Sequence, residues 1–259
     1  MWSKRLQARK NPNISVIVPA LNEEKNMRMF LDSINGQSSA SFETLVVDGG
    51  SKDGTSKIAE AHSAKVVVLP GYGEFISRNI GAKMAKGELL VFTCADIIFP
   101  NNIFEKIIEK FERNPDLVAL SGPAHSFDAP LIGRIEYALY DLFRFLLAKL
   151  PRPLKRFSTS TNFLVIRRNS FDKTGGFLTD DINADGLMGR RLLGMGEVAF
   201  FMDTNVYASG RRMKNMGFFA FNKHYLYVLE NVFFFTSQFG LTKSIKLTSR
   251  MRHRKMHET

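Results

Sequence analysis

The 259-residue chain holds a single cysteine and a single tryptophan. With Cys94 alone there is no internal disulfide framework. No Cys/His cluster has the spacing of a zinc site. No stretch approaches the ~18 consecutive apolar residues of a membrane span. Residues 1–10 are basic but lack an apolar run, so no secretory signal is expected there. These absences fit a reducing, cytoplasmic setting. There is no Walker loop and no Ser/His/Asp motif. Gly71-Tyr72-Gly73 is not a dinucleotide fingerprint: Ile76 stands where the third glycine belongs, and the stretch follows the third expected strand. Low-complexity linkers and internal repeats are also missing.

Acid is scarce relative to base. Lys and Arg number 36 against 25 Asp and Glu, a net charge of +11. Most of that excess sits at the two ends, in residues 1–10 and 243–259. Between them, 11–129 is slightly acidic and 130–217 is basic. Such a balance suits an anionic surface of lipid headgroups or phosphates. The tails lack interleaved aromatics, which argues against nucleic acid. With 44% apolar and 24% charged residues the composition is that of an ordinary globular protein.

The first half alternates short β-rich runs with helical patterns, the mark of an α/β layer with a mostly parallel sheet. Strands are expected at 14–18 (ended by Pro19), 42–47, 65–69, 88–93 and 117–121. Helices are expected at 23–34, at 55–61 with Thr55 as N-cap, at 75–85 with Gly87 as stop, and from Pro100 to 111. In the second half, 131–150 is an amphipathic helix candidate. Arg134, Tyr137, Asp141 and Arg144 form its polar stripe, with Ile135, Leu139, Leu142, Leu146 and Leu150 opposite. A strand at 162–166, a short helix closed by Gly175-Gly176, a helix at 186–194 and a strand at 198–202 follow. Residues 218–241 are aromatic-rich and expected to be helical.

In a parallel α/β sheet, ligands gather beyond the carboxyl ends of the strands. Three polar clusters follow strands here: Pro19-Ala20-Leu21-Asn22-Glu23-Glu24, Asp48 with Gly49 and Gly50, and Thr93-Cys94-Ala95-Asp96. Asp48 suits a base or ribose. Asp96 suits a divalent cation held against phosphates. Arg78 and Asn79, on the helix between, suit a pyrophosphate. Each also has a plainer reading as a turn or cap residue.

These residues resemble the family 2 glycosyltransferases. Ile14 to Glu24 is similar to the family's opening. Val46 to Thr55 is similar to its second motif, and Ser77 to Ala82 with Gly87-Glu88 to the helix before the metal motif. Thr93 to Asp96 with Pro100 resembles the metal motif. Gly175-Gly176-Phe177, Asn183-Ala184-Asp185 and Arg191-Leu192 resemble the acceptor-side catalytic motif. The resemblance runs from about residue 13 to about 212. It implies a GT-A fold with a Rossmann-like nucleotide-binding layer over 11–217. In that fold 11–129 is the donor half and 130–217 the acceptor half, with 218–259 a helical extension and basic tail. It also implies a UDP- or GDP-sugar donor, a divalent cation (Mg2+ or Mn2+) on Asp96, and an inverting transfer with Asp185 as base. The implied donor contacts are Pro19, Ala20, Asn22, Glu23, Asp48, Gly50, Arg78, Asn79, Cys94, Ala95, Arg211 and Arg212.

Three departures stand out. Cys94 replaces the acid two residues before Asp96. Ala184 replaces the acid before Asp185. Ser209-Gly210-Arg211-Arg212 lacks the tryptophan of processive synthases, which implies a non-processive enzyme. Asp180 and Asp181 are rivals for the base. The helices at 131–150 and 218–241, each beside basic residues, fit an in-plane membrane contact at the cytoplasmic face. The acceptor expected there is a polyprenyl phosphate, as in the dolichyl-phosphate sugar synthase branch, or another lipid or glycan. Two other readings remain from sequence: a degenerate GT-A protein acting as a basic lipid- or polyanion-binding module, and a sugar-phosphate nucleotidyltransferase.

Overall fold

A computed structural model describes residues 12–38, 40–151, 155, 158–180, 184–211 and 214. The expected helix at 218–241 and the tail to 259 lie outside the described residues, as do Asp181 and Arg212. Ten strands and seven helices are described. In chain order they are β1 (Ile14–Ala20), α1 (Glu24–Asn35), β2 (Phe42–Asp48), α2 (Thr55–Ala61), β3 (Lys65–Val68), α3 (Glu74–Met84), β4 (Leu89–Thr93), β5 (Ile97–Ile98), α4 (Ile103–Arg113), β6 (Leu117–Ser121), β7 (Ala124–Ser126), α5 (Leu131–Lys149), β8 (Phe163–Arg167), α6 (Arg168–Thr174), α7 (Ala184–Leu193), β9 (Glu197–Phe200) and β10 (Val206–Ala208).

The main sheet has the order β3-β2-β1-β4-β8-β6-β9. Its first four strands are parallel, β8 runs antiparallel to β4 and β6, and β9 is parallel to β6. A smaller sheet, β5-β10-β7, stands beside it. This is the mostly parallel layer expected from the sequence. Strands β1 and β4 are buried throughout or nearly so, which is why they read as continuous apolar runs. One core cluster gathers Met27, Phe30, Leu31 and Ile34 of α1 with Ile103, Phe104 and Ile107 of α4. The other gathers Phe75 of α3, Phe171 of α6, Phe177, and Met188 and Leu192 of α7. Phe92 of β4 meets Phe171 and Phe177 at ring separations of 5.0 and 5.2 Å, a range in which tilted and edge-on rings attract.

Several boundaries differ from expectation. Pro19 lies inside β1, paired with Val47. The β4 ladder ends at Ile17↔Phe92, so one side of the strand is already open at Pro19, where a missing N–H is tolerated. Thr55 is the first residue of α2 and Gly54 its cap, because the Thr55 hydroxyl is used elsewhere. Helix α3 stops at Met84, where Ala85 turns extended, before Gly87. Helix α4 begins at Ile103 rather than Pro100.

The sequence left open which face of α5 points inward. The C-terminal part of its polar stripe faces inward: Asp141 and Arg144 are 2% and 3% exposed, whereas Arg134 stays exposed. Asp141 Oδ2 accepts the Ala124 N–H at 3.0 Å, and Arg144 Nη2 donates to Ser121 Oγ and the Ser158 carbonyl, both at 2.8 Å. The two side chains approach each other at 3.5 Å, and Arg144 lies over the Phe200 ring. Burial raises the carboxyl of Asp141 above its usual range against the pull of Arg144. Polar groups can line an inner face when they partner each other there. Removing one partner leaves the other stranded. Asp141→Ala is therefore expected to cost ~3 kcal/mol in urea unfolding; a change near zero would show that the pair does not anchor α5.

Candidate active site

The three polar clusters converge at the carboxyl edge of β1, β2 and β4. Asn22, with φ +53, turns the chain after β1. Its N–H donates to Ser51 Oγ at 2.9 Å, and its Oδ1 accepts the Lys52 N–H at 2.9 Å. The Glu23 N–H donates to Thr55 Oγ1 at 2.8 Å. The first and second loops are thus stitched into one wall. Asp48, 1% exposed, organises that wall. Its Oδ1 accepts the N–H groups of Gly50 and Ser51 at 2.9 and 2.7 Å and the Ser51 hydroxyl, and its Oδ2 accepts from Ser56. Most of its accepting capacity is thereby used by its own turn. Gly50 has φ +95, which a side chain would resist, and supplies the bend. Ala20 is placed by its carbonyl, which accepts the Gly49 N–H at 2.8 Å.

Across the crevice, β10 delivers Arg211. Its guanidinium forms a two-pronged pair with Glu23, at 3.0 and 2.7 Å, and stands 3.9 Å from Asp96 Oδ2. Asp128 steadies this arm by accepting from the Gly210 N–H, Ser209 and Lys214. Asp96 is itself fixed by the Ser209 N–H, which donates to its carbonyl at 3.0 Å. Glu23 and Asp96 therefore converge on one positive group, which marks where the site favours positive charge. Among the described residues no group of three His, Cys, Asp or Glu side chains could hold a metal ion. A single carboxylate such as Asp96 still fits a cation whose remaining ligands are diphosphate oxygens and water.

Beneath lies a cluster of buried polar groups. Arg78 is fully buried. It pairs with Glu74 at 2.8 Å and donates to the carbonyls of Thr93 and Thr161 and to Cys94 Sγ at 3.4 Å. Its Nε and Nη1 have no hydrogen-bond partner among the described residues. Arg78 thus binds the floor of the crevice together rather than lining its surface. Cys94 takes the place of an expected acid by accepting from this guanidinium. Ala95 is buried next to it. Asn79 departs from its expected diphosphate role. Both ends of its amide are spent on the backbone of Phe177, each at 2.8 Å. It ties the acceptor-side loop to α3.

Asp185 sits in the first turn of α7. Its Oδ2 accepts from the Thr161 N–H at 3.3 Å, while its Oδ1 is sealed from solvent without a hydrogen-bond partner among the described residues. Burial raises its pKa to about 6, partly offset by the Arg78 guanidinium. Its rival Asp180 is engaged elsewhere. Asp180 Oδ1 accepts the Phe75 N–H at 2.8 Å, in the first turn of α3. A Cβ on Gly73 would fall 1.2 Å from Asp180 Oδ2, so glycine is required there. That explains part of the Gly-Tyr-Gly run that the sequence left unexplained. Sequence reasoning missed Glu74 and Thr161 as parts of this site, and it weighed Asp180 as a base rather than as the anchor of the α3 N-terminus. Only the glycine at 73 hinted at that anchoring role.

The sequence model of "Glycosyl transferase family 2" matches residues 15–175, more than half of the chain. The chain belongs to that family. Among curated relatives, an uncharacterized glycosyltransferase of Haemophilus influenzae is 32% identical over 43% of this chain and 38% of its own length. A glucosyl-3-phosphoglycerate synthase of Mycobacterium tuberculosis is 36% identical over 38% of this chain and 33% of its own. The chain thus spans about a third of the length of these relatives. Of solved structures, a Pyrobaculum calidifontis mannosyltransferase in complex with GDP-Man and Mn2+ superposes with a TM-score of 0.60 at 18% identity, covering 86% of this chain and 70% of that one. S. aureus TarS 1-349 gives 0.64 at 18% identity, covering 92% and 77%. At such identities these superpositions establish the GT-A family fold.

Proposed function

We propose that this family 2 protein is an inverting, metal-dependent glycosyltransferase. It moves a sugar from a nucleoside-diphosphate donor to an acceptor hydroxyl. The observation that carries the reading is Asp185: a carboxylate with a sealed, unpartnered oxygen and a raised pKa, behind the crevice that the three clusters form. A base with a pKa near 6 is ionised at neutral pH yet still basic enough to take a proton. A phosphate acceptor arrives already ionised and needs no such base. This favours a hydroxyl on a lipid-borne or other glycan over a polyprenyl phosphate.

In the reaction, Asp185 receives the acceptor proton as the acceptor oxygen bonds to the anomeric carbon. The bond from that carbon to the diphosphate oxygen breaks on the opposite face. The walls built by Asn22, Glu23, Asp48 and Gly50 hold the nucleotide. A divalent cation on Asp96, Mg2+ or Mn2+, would neutralise charge on the departing diphosphate. Arg211, already facing Asp96 and Glu23, adds a second positive charge beside it. Arg78 on the donor side and Asp185 on the acceptor side interact electrostatically with each other. Relatives of this fold solved with GDP-Man and with UDP-Glc support the donor class.

Incubation with UDP- and GDP-sugars, Mn2+ and candidate glycan acceptors should release nucleoside diphosphate together with a glycosylated product. Release of inorganic pyrophosphate instead would move the protein to the nucleotidyltransferases. No turnover with any donor or acceptor would favour the binding-module reading.

A further inference from the structure

With Asp141 and Arg144 turned inward, the apolar side of α5 faces outward. Leu131 is 76% exposed and Leu139 62%; Ile132, Ile135, Leu142 and Leu146 are each about half exposed. Of the ten exposed residues in α5, eight are apolar, two are basic and none is acidic. A face of this size on one helix ordinarily has a partner. The helix has 19 residues, or ~28 Å. No helix among the described residues is long and apolar enough to cross a membrane.

We propose that this face of α5 docks in the plane of an anionic lipid bilayer. Charge complementarity selects that partner. The two basic residues, Arg134 and Lys149, stand near opposite ends of the helix; Arg134 donates to the Ala129 and Phe127 carbonyls and Lys149 lies over the Phe145 ring, and neither pairs with an acid among the described residues. The sequence continues at once into Arg152, Lys155 and Arg156. An apolar stripe edged by cations and free of acids matches acyl chains beneath anionic headgroups. Pairing with a second copy would offer those cations no acid on the opposing face.

The location gives the contact a purpose, and this part rests on the transferase reading. Arg144, on the inner side of α5, donates to the Ser158 carbonyl, and the next residue, Thr159, donates its hydroxyl to the Asp185 carbonyl at 3.1 Å. The docked helix is thus coupled through two hydrogen bonds to the segment carrying the base. An acceptor borne on a lipid would reach Asp185 from the surface on which α5 rests.

The test is flotation of the full chain with vesicles of phosphatidylcholine alone or with about one-third phosphatidylglycerol, with no donor present. The intact chain should float with the anionic vesicles and bind neutral ones at least about tenfold more weakly. Leu139→Glu/Leu142→Glu should lose about tenfold or more of the anionic binding while keeping its melting temperature. Lys149→Glu is a second variant, outside the core, and should lower binding severalfold. Failure of the intact chain to float, or unchanged binding in both variants, overturns the proposal. So does a dimer that the double substitution dissolves while the intact chain ignores vesicles. Donor binding is measured separately without lipid, so docking and transfer can fail independently.

Discussion

Asp185→Asn is expected to lower kcat by about a thousandfold while leaving donor binding nearly unchanged. The amide keeps the size and the Thr161 contact but cannot accept the acceptor proton. The intact enzyme should show a matching pH profile. Because Asp185 must be ionised to act, kcat/KM should rise about tenfold per unit below pH 6 and flatten above it. The same shift has a stability consequence of opposite sign. The carboxyl binds its proton more tightly folded than unfolded. Its contribution therefore favours the native state below about pH 4 and is lost as pH rises to about 6. Asp185→Asn should then melt no lower than the intact chain at pH 7. A variant that keeps most of its activity, or a profile without a limb near pH 6, would assign the proton transfer elsewhere.

Asp96→Asn should reduce turnover by about a thousandfold as well, but by another route. The loss removes the one carboxylate placed for a cation at the end of β4, and with it charge neutralisation on the leaving diphosphate. Glu23 cannot substitute, because its two oxygens are held by Arg211. The two variants should separate cleanly: Asp96→Asn weakens metal-dependent donor binding, whereas Asp185→Asn does not. Equal donor binding by Asp96→Asn and the intact chain would remove Asp96 from the metal role.

Much of this site was legible because its parts follow successive strands. Burial on both sides makes β1 and β4 apolar runs, and the polar residues just beyond them then stand out. The long turn after β2 announces itself by its glycines. What was not legible depended on distance in sequence. Glu23 and Arg211 are 188 positions apart, and nothing local announces their pairing. Asn79 reads as a ligand residue because an exposed-type side chain sits beside Arg78, yet the backbone of Phe177 takes both ends of its amide. Helix α5 shows the limit most clearly. Periodicity reveals that a helix has two unlike faces, but not which one points inward. A buried Asp141–Arg144 pair, partnered by Ser121, Ser158 and the Ala124 N–H, reverses the usual assignment. The replacement of acids by Cys94 and Ala184 also reads differently in three dimensions. Cys94 accepts from buried Arg78, and Ala184, the first residue of α7, packs into the core.

The most direct measurement is a calorimetric titration of the intact chain with UDP, GDP and their common sugars, with and without Mn2+, repeated on Asp96→Asn. The account predicts that one nucleotide class binds, that Mn2+ strengthens the binding, and that the substitution abolishes the Mn2+ effect. Binding that ignores Mn2+, or no binding by any donor while the chain remains folded, would contradict it.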